Sequence, residues 1–281
     1  MTLDQFVSGL VYLVAVFILF AIGKWVYDRL HPKFELKVEL FEKDNVALGF
    51  AMVGYYLGLV FALGGVLDGP SIGIVDDLID IFFFGLTAIV LLNFSAWLMD
   101  KIVLRKFVVE KEIIEDRNAG MGVVAGANYI AVGLVIAGAI SGEGGDLVTT
   151  AVFWIIGQAV LILASFVYEW ITRFNVQEQL EKDNVAVGVA YAGVLLAIGM
   201  VVKKGLYGDF YSWYENLLQF AEYALFGLVL IPVVRWVTDL ILVPGVTFKN
   251  ELVDQEKPNV GAAAIEAFSY IAAALLLGWV V

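Results

Sequence analysis

The sequence predicts an all-α integral membrane protein: eight transmembrane helices built as four parallel-repeated helical hairpins, with a pseudo-two-fold axis along the membrane normal. Three observations predict it. Of 281 residues, 61% are hydrophobic and 16% charged, with a mean hydropathy of +0.88, which leaves too little polar surface to cover a water-soluble globule. Apolar stretches long enough to cross a hydrocarbon core of roughly 30 Å recur from end to end. The polar hexapeptide EKDNVA stands twice, at 42–47 and 181–186, each time at the start of an apolar run.

The first span, 6–27, follows MTLDQ, which lacks the basic segment of a secretory leader, and no small-residue cleavage site precedes the polar loop, so it is expected to stay in place. It leaves the membrane at Trp25 and Asp28. The second, 46–67, opens after Glu42-Lys43-Asp44-Asn45 and carries Gly49, Gly54, Gly58, Gly64 and Gly65. The third, 77–99, ends at Trp97 and Asp100; the fourth, 119–140, follows Glu115-Asp116-Arg117-Asn118 and holds Gly120, Gly122, Gly126, Gly133 and Gly138. The fifth, 148–170, ends at Phe166 and Glu169, and the sixth, 185–206, follows Glu181-Lys182-Asp183-Asn184 with Gly188, Gly193 and Gly199. The seventh, 213–238, ends at Trp236 and Asp239; the eighth, 260–281, follows Glu256-Lys257-Pro258-Asn259 and has Gly261 and Ala262 to Ala264.

Every even span is thus preceded by E-x-x-N, and every odd span ends in an aromatic residue with an acid three residues later. The unit is a two-helix hairpin of about 70 residues, the self-similarity expected of a repeat architecture. Asn45 and Asn184 are 139 residues apart, Asn118 and Asn259 are 141, so a four-helix domain was duplicated, 1–143 followed by 144–281. An even number of spans per unit keeps the copies parallel. Small residues let helix backbones approach closely, which assigns the even helices to the interior and the odd ones to the lipid-facing ring.

Fifteen of the 17 Lys and Arg residues lie in or flank the loops after the odd spans, and only Lys203 and Lys204 lie at the others. The positive-inside rule therefore puts the E-x-x-N loops in the cytoplasm and both termini on the other side. The net charge of −12 gives no support for nucleic-acid binding. With no cysteine, disulfide and thiolate chemistry are excluded. The sole His31 is followed by Pro32 and belongs to no catalytic constellation, so no enzyme and no cofactor are expected.

EKDNVALG at 42–49 and EKDNVAVG at 181–188, each opening a glycine-rich span of a four-helix unit, resemble the YjfL family, a bacterial inner-membrane group described as a domain of unknown function (family 350). The resemblance covers nearly the whole chain as two tandem copies. The fourth hairpin departs most, with Pro258 in place of the acid and Val253 in place of the upstream glutamate. It implies a bacterial inner-membrane protein with relatives in stress-response and polyamine-linked gene neighbourhoods, and supplies no activity.

Read physically, the motif has three uses. Asn is a preferred helix N-cap, and carboxylates are favoured near a helix N-terminus. If the even helices surround an axis, Glu42, Glu115, Glu181 and Glu256 form a ring at the cytoplasmic mouth, reinforced by Glu39, Glu112 and Glu178, that attracts a small cation or polyamine. The same acids suit docking of a soluble cytoplasmic partner. Inside the spans, Glu266 and Arg235 stand at similar depths and are expected to pair, and Glu222 is a candidate vestibule or relay group, since intramembrane ionisable residues default to functional hypotheses. Two functions follow: a cation channel or transporter, or a non-conducting scaffold or sensor in a stress or envelope system. Besides the lipid bilayer and these partners, the aromatic odd spans offer a surface for a homodimer.

Overall fold

The computed structural model describes residues 3–280 apart from 70, 72, 107, 243 and 246. Among these it is all-helical, with eight helices long and apolar enough to cross a membrane. In chain order, α1 (Leu3–Leu30), α2 (Val46–Leu67), α3 (Ile74–Ile102), a short α4 (Val109–Ile114) and α5 (Ala119–Ile140) make the first half. The second half has α6 (Leu147–Thr172), a short α7 (Val176–Glu181), α8 (Val185–Leu206), α9 (Trp213–Val237) and α10 (Val260–Val280). Where the second and third hairpins use α4 and α7 before the asparagine, the first and fourth use π-helical turns at Val38–Glu42 and Asn250–Asp254.

The largest helix contacts are α2 with α5, α5 with α8, and α8 with α10. These four form an open row whose ends, α2 and α10, have no comparable contact with each other. A second row lies against the first: α3 over the α2–α5 groove, α6 over the α5–α8 groove, α9 over the α8–α10 groove, and α1 beside α3 at the edge of α2. The second half repeats the contacts of the first in the same membrane orientation and continues the row.

Two expectations change here. The four E-x-x-N glutamates do not ring an axis, because α10 does not return to α2. Burial also follows position in the row and not parity alone: α5 and α8 are almost wholly enclosed, whereas α10, an even helix at the end, is largely exposed to the bilayer and α6, an odd helix mid-row, is half buried.

Glycine explains why the row is tight. A methyl on Gly126 would fall 2.5 Å from the Phe50 carbonyl oxygen, on Gly188 2.5 Å from the Gly120 carbonyl oxygen, and on Gly199 2.7 Å from Ala131 Cα. Helices this close touch backbone to backbone, the packing that small residues permit in lipid. The ends are sealed by large residues at the same registers. Where α5 shows Gly126 and Gly133 to α2, α2 shows Val53 and Val60 to the bilayer, 57% and 53% exposed. Where α8 shows Gly193 to Ala267, α10 carries the exposed Phe268. Such terminal variation stops a repeat array from growing.

Candidate functional site

At one end of the bundle, called here the asparagine end, each E-x-x-N asparagine caps its own helix. The side-chain oxygens of Asn45, Asn118, Asn184 and Asn259 accept from the backbone N–H of Leu48, Met121, Val187 and Ala262 at 2.8–3.1 Å. The amide nitrogens reach the next repeat. Asn45 donates to the Ile113 carbonyl (2.9 Å), Asn118 to Leu180 (2.6 Å) and Asn184 to Leu252 (2.8 Å). Asn259, in the fourth repeat, donates instead to Glu251 Oε2 at 2.8 Å. The first three are buried and the last is exposed. An aspartate caps as well as an asparagine, but only the amide has donors left for a neighbour.

The backbone ahead of each cap reinforces this geometry. Asp44, Arg117 and Asp183 all have φ between 49° and 54°, left-handed turns that redirect the chain into the next helix. Pro258 holds the corresponding place in the fourth hairpin, and proline fixes φ near −65°, so that turn is built differently. The residue whose carbonyl accepts the Asn backbone N–H is Glu39, Glu112, Gln179 and Glu251 in the four repeats. Glu112, Gln179 and Glu251 also accept the Asn amide on their side chains. By geometry, therefore, Gln179 takes the place expected for Glu178, and Glu251 replaces the acid apparently lost at Val253. The signal in the sequence was the persistence of Asn; the shifted spacing hid the partners.

The glutamates of the motif play no part in this lattice. Glu42, Glu115, Glu181 and Glu256 are all exposed. Glu39 is buried and pairs with Lys43, leaving its Oε2 without a partner. Glu178 is exposed and pairs with Lys182 at 2.7 Å, whose ammonium holds its carboxyl below the ordinary value. Glu222 lies on the exposed surface of α9 and lines no interior path. Glu266 is 0% exposed and pairs with Arg235 inside the membrane layer.

The opposite end holds a cavity of about 510 Å³ between α3 and α6 over the end of α5. Asp77, Asp80 and Glu143 line its polar part, together with Tyr12 and Thr150. Asp77 accepts hydrogen bonds from the Tyr12 and Ser71 hydroxyls. Thr150 is 3% exposed. The depth of the cavity is apolar, formed by Ile81, Phe84, Ile140 and Phe153. Beside it Asp146 caps α6, and the Thr149 and Val148 N–H groups hold its carboxyl below the ordinary value.

A family model described as a Domain of Unknown Function (DUF350) matches residues 1–140 and again 144–281. The chain belongs to this family. The two DUF350 copies correspond to the two halves of the helix row. Over 272 residues, 94% of this chain and 97% of the relative, it is 24% identical to the "UPF0719 transmembrane protein" of Aquifex aeolicus (strain VF5). Over 86 residues, 31% of this chain and 60% of the relative, it is 28% identical to the "UPF0719 transmembrane protein YshE" of Bacillus subtilis (strain 168). No solved structure matches. A DUF350 chain with this composition and these helices is a polytopic membrane protein in contact with the lipid bilayer.

Proposed function

We propose that this DUF350 protein is a non-conducting sensor of the bacterial inner membrane that binds a small organic cation in the cavity between α3 and α6. The charge distribution of the loops supports placing the cavity on the non-cytoplasmic side and the asparagine end in the cytoplasm. The observation that carries the reading is the cavity itself: carboxylates at its mouth, aromatic rings in its depth, and the buried Thr150 in its wall. Carboxylates attract a cation and aromatic faces hold it once part of its water is lost. Conduction is disfavoured because the inner helices meet backbone to backbone. The exposed glutamates at the asparagine end then serve as a docking face for a basic soluble partner.

The test uses tetraethylammonium as probe. Titrated into the protein in nanodiscs and read by tryptophan fluorescence, it should bind saturably, and Asp80→Asn with Glu143→Gln should weaken binding about tenfold or more, roughly 1.4 kcal/mol. Sealed liposomes should show no K⁺ or H⁺ flux beyond the lipid background. Flux abolished by changing Glu42, Glu115, Glu181 and Glu256 to Gln would overturn the reading in favour of a channel.

A further inference from the structure

The two copies can be compared residue by residue at one buried place. In the second copy, Tyr168 of α6 and Tyr270 of α10 meet with ring centroids 6.3 Å apart, and Arg235 of α9 forms its ion pair with Glu266 beside them. Counting from the capping asparagine and from the acid that ends each odd span, the first copy has Tyr27 and Tyr129 at the tyrosine positions. It has Ala96 and Ala125 where the second has Arg235 and Glu266. The first copy therefore forms this junction without the ion pair, keeping only Asp100 at the place of Asp239. A buried ion pair is seldom more stabilising than apolar residues of the same volume, so stability does not account for its presence in one copy.

The polar atoms are also unbalanced. Glu266 Oε1 takes Arg235 and lies 3.5 Å from the Tyr168 hydroxyl. Glu266 Oε2, the Tyr270 hydroxyl and Asp239 Oδ1 are buried without partners. Asp239 stands one turn along the helix from Arg235 and forms no ion pair with it, so the junction holds two carboxylates and one guanidinium; Tyr191 of α8, stacked on Tyr168, supplies no charge. The cluster carries one negative charge in excess within a membrane-spanning layer, where such charge is costly. The helix is also irregular here: Pro232 interrupts α9 three residues before Arg235, and a π-helical turn follows at Thr238–Leu242. Such turns mark functional sites more often than regular helix does.

We propose that this cluster is a proton-binding site in which Glu266 Oε2 takes up a proton arriving from the asparagine end by way of Asp239. A new O–H bond forms on Oε2, the ionised Asp239 one turn away balances the Arg235 charge, and the cluster becomes neutral. The inference is independent of the cavity, which lies at the opposite end of the bundle and shares no residue with the cluster.

Infrared difference spectra of the protein in nanodiscs, taken from about pH 4 to about pH 10 to span the carboxyl range, test it. One carboxylic C=O band should appear as pH falls, shift in D₂O, and be lost in Glu266→Gln. Should that variant fail to fold, the double change Arg235→Ala with Glu266→Ala, which restores the residue types of the first copy, should fold and lack the band. In liposomes with pH changed on one side only, the band should respond from the asparagine end and more slowly in Asp239→Asn. A wild-type spectrum without such a band, a band that survives both variants, or a response from the opposite end alone would overturn the proposal.

Discussion

Replacing Asn118 by Asp separates its two jobs. The carboxylate can still accept from the Met121 N–H as a helix cap, but it cannot donate to the Leu180 carbonyl, now 2.6 Å away. Leaving that buried acceptor unpaired costs about 1–3 kcal/mol. The new carboxylate also points at Glu112, whose Oε2 is 3.2 Å from the present amide nitrogen. Two charges at about 4 Å repel by about 4 kcal/mol at an effective dielectric constant of 20, a ceiling that protonation of either group relieves. We expect a loss of about 2–4 kcal/mol in total. Asn259→Asp makes the same chemical change at an exposed cap whose amide donates within its own repeat, and solvent screening should hold its cost below about 1 kcal/mol. Reversible unfolding in mixed micelles, compared for the two variants, is the assay. If Asn118→Asp costs no more than Asn259→Asp, the asparagines are helix caps only, and the inter-repeat lattice contributes nothing.

Gly126→Ala, whose new methyl meets the Phe50 carbonyl, should cost about 1–3 kcal/mol by overpacking, while Gly64→Ala, facing open space, should be neutral or slightly stabilising; the same unfolding assay compares them. Changing Glu42, Glu115, Glu181 and Glu256 together to Gln should shift stability by no more than about 0.5 kcal/mol per site, because all four are exposed, yet should weaken capture of a synthetic polylysine peptide in a binding titration. The Glu178 carboxyl is held below its ordinary value of 4.5 by Lys182. Its contribution is therefore complete above that value and fades as pH falls through the lower folded value; Glu178→Gln should flatten this part of the acid limb in pH-dependent unfolding, and an unchanged limb would refute the pairing.

What could be read in the chain was what local chemistry encodes. Spans follow from runs of apolar residues, and hairpins from the recurring E-x-x-N and aromatic–acid marks. The asparagine caps follow from their place before each run. Even the sealed ends are written in Val53, Val60 and Phe268, though their meaning appears only once the neighbours of Gly126, Gly133 and Gly193 are known.

Tertiary structure decided the rest. Whether four parallel hairpins close into a ring or extend as a row depends on the angle between the two contact faces of each inner helix, a relation between distant residues that no local pattern states. That angle places Gly122 against Ala47 and Gly188 against Gly120 while leaving α10 remote from α2. It therefore scatters the motif glutamates along a solvent face and turns Glu222 outward. It also brings the Asn118 amide to a carbonyl 62 residues away. Hydropathy acts on each segment separately and so fixes what enters the membrane. Close packing acts between segments, and in lipid, where apolar burial no longer drives helices together, it alone chooses which of them meet.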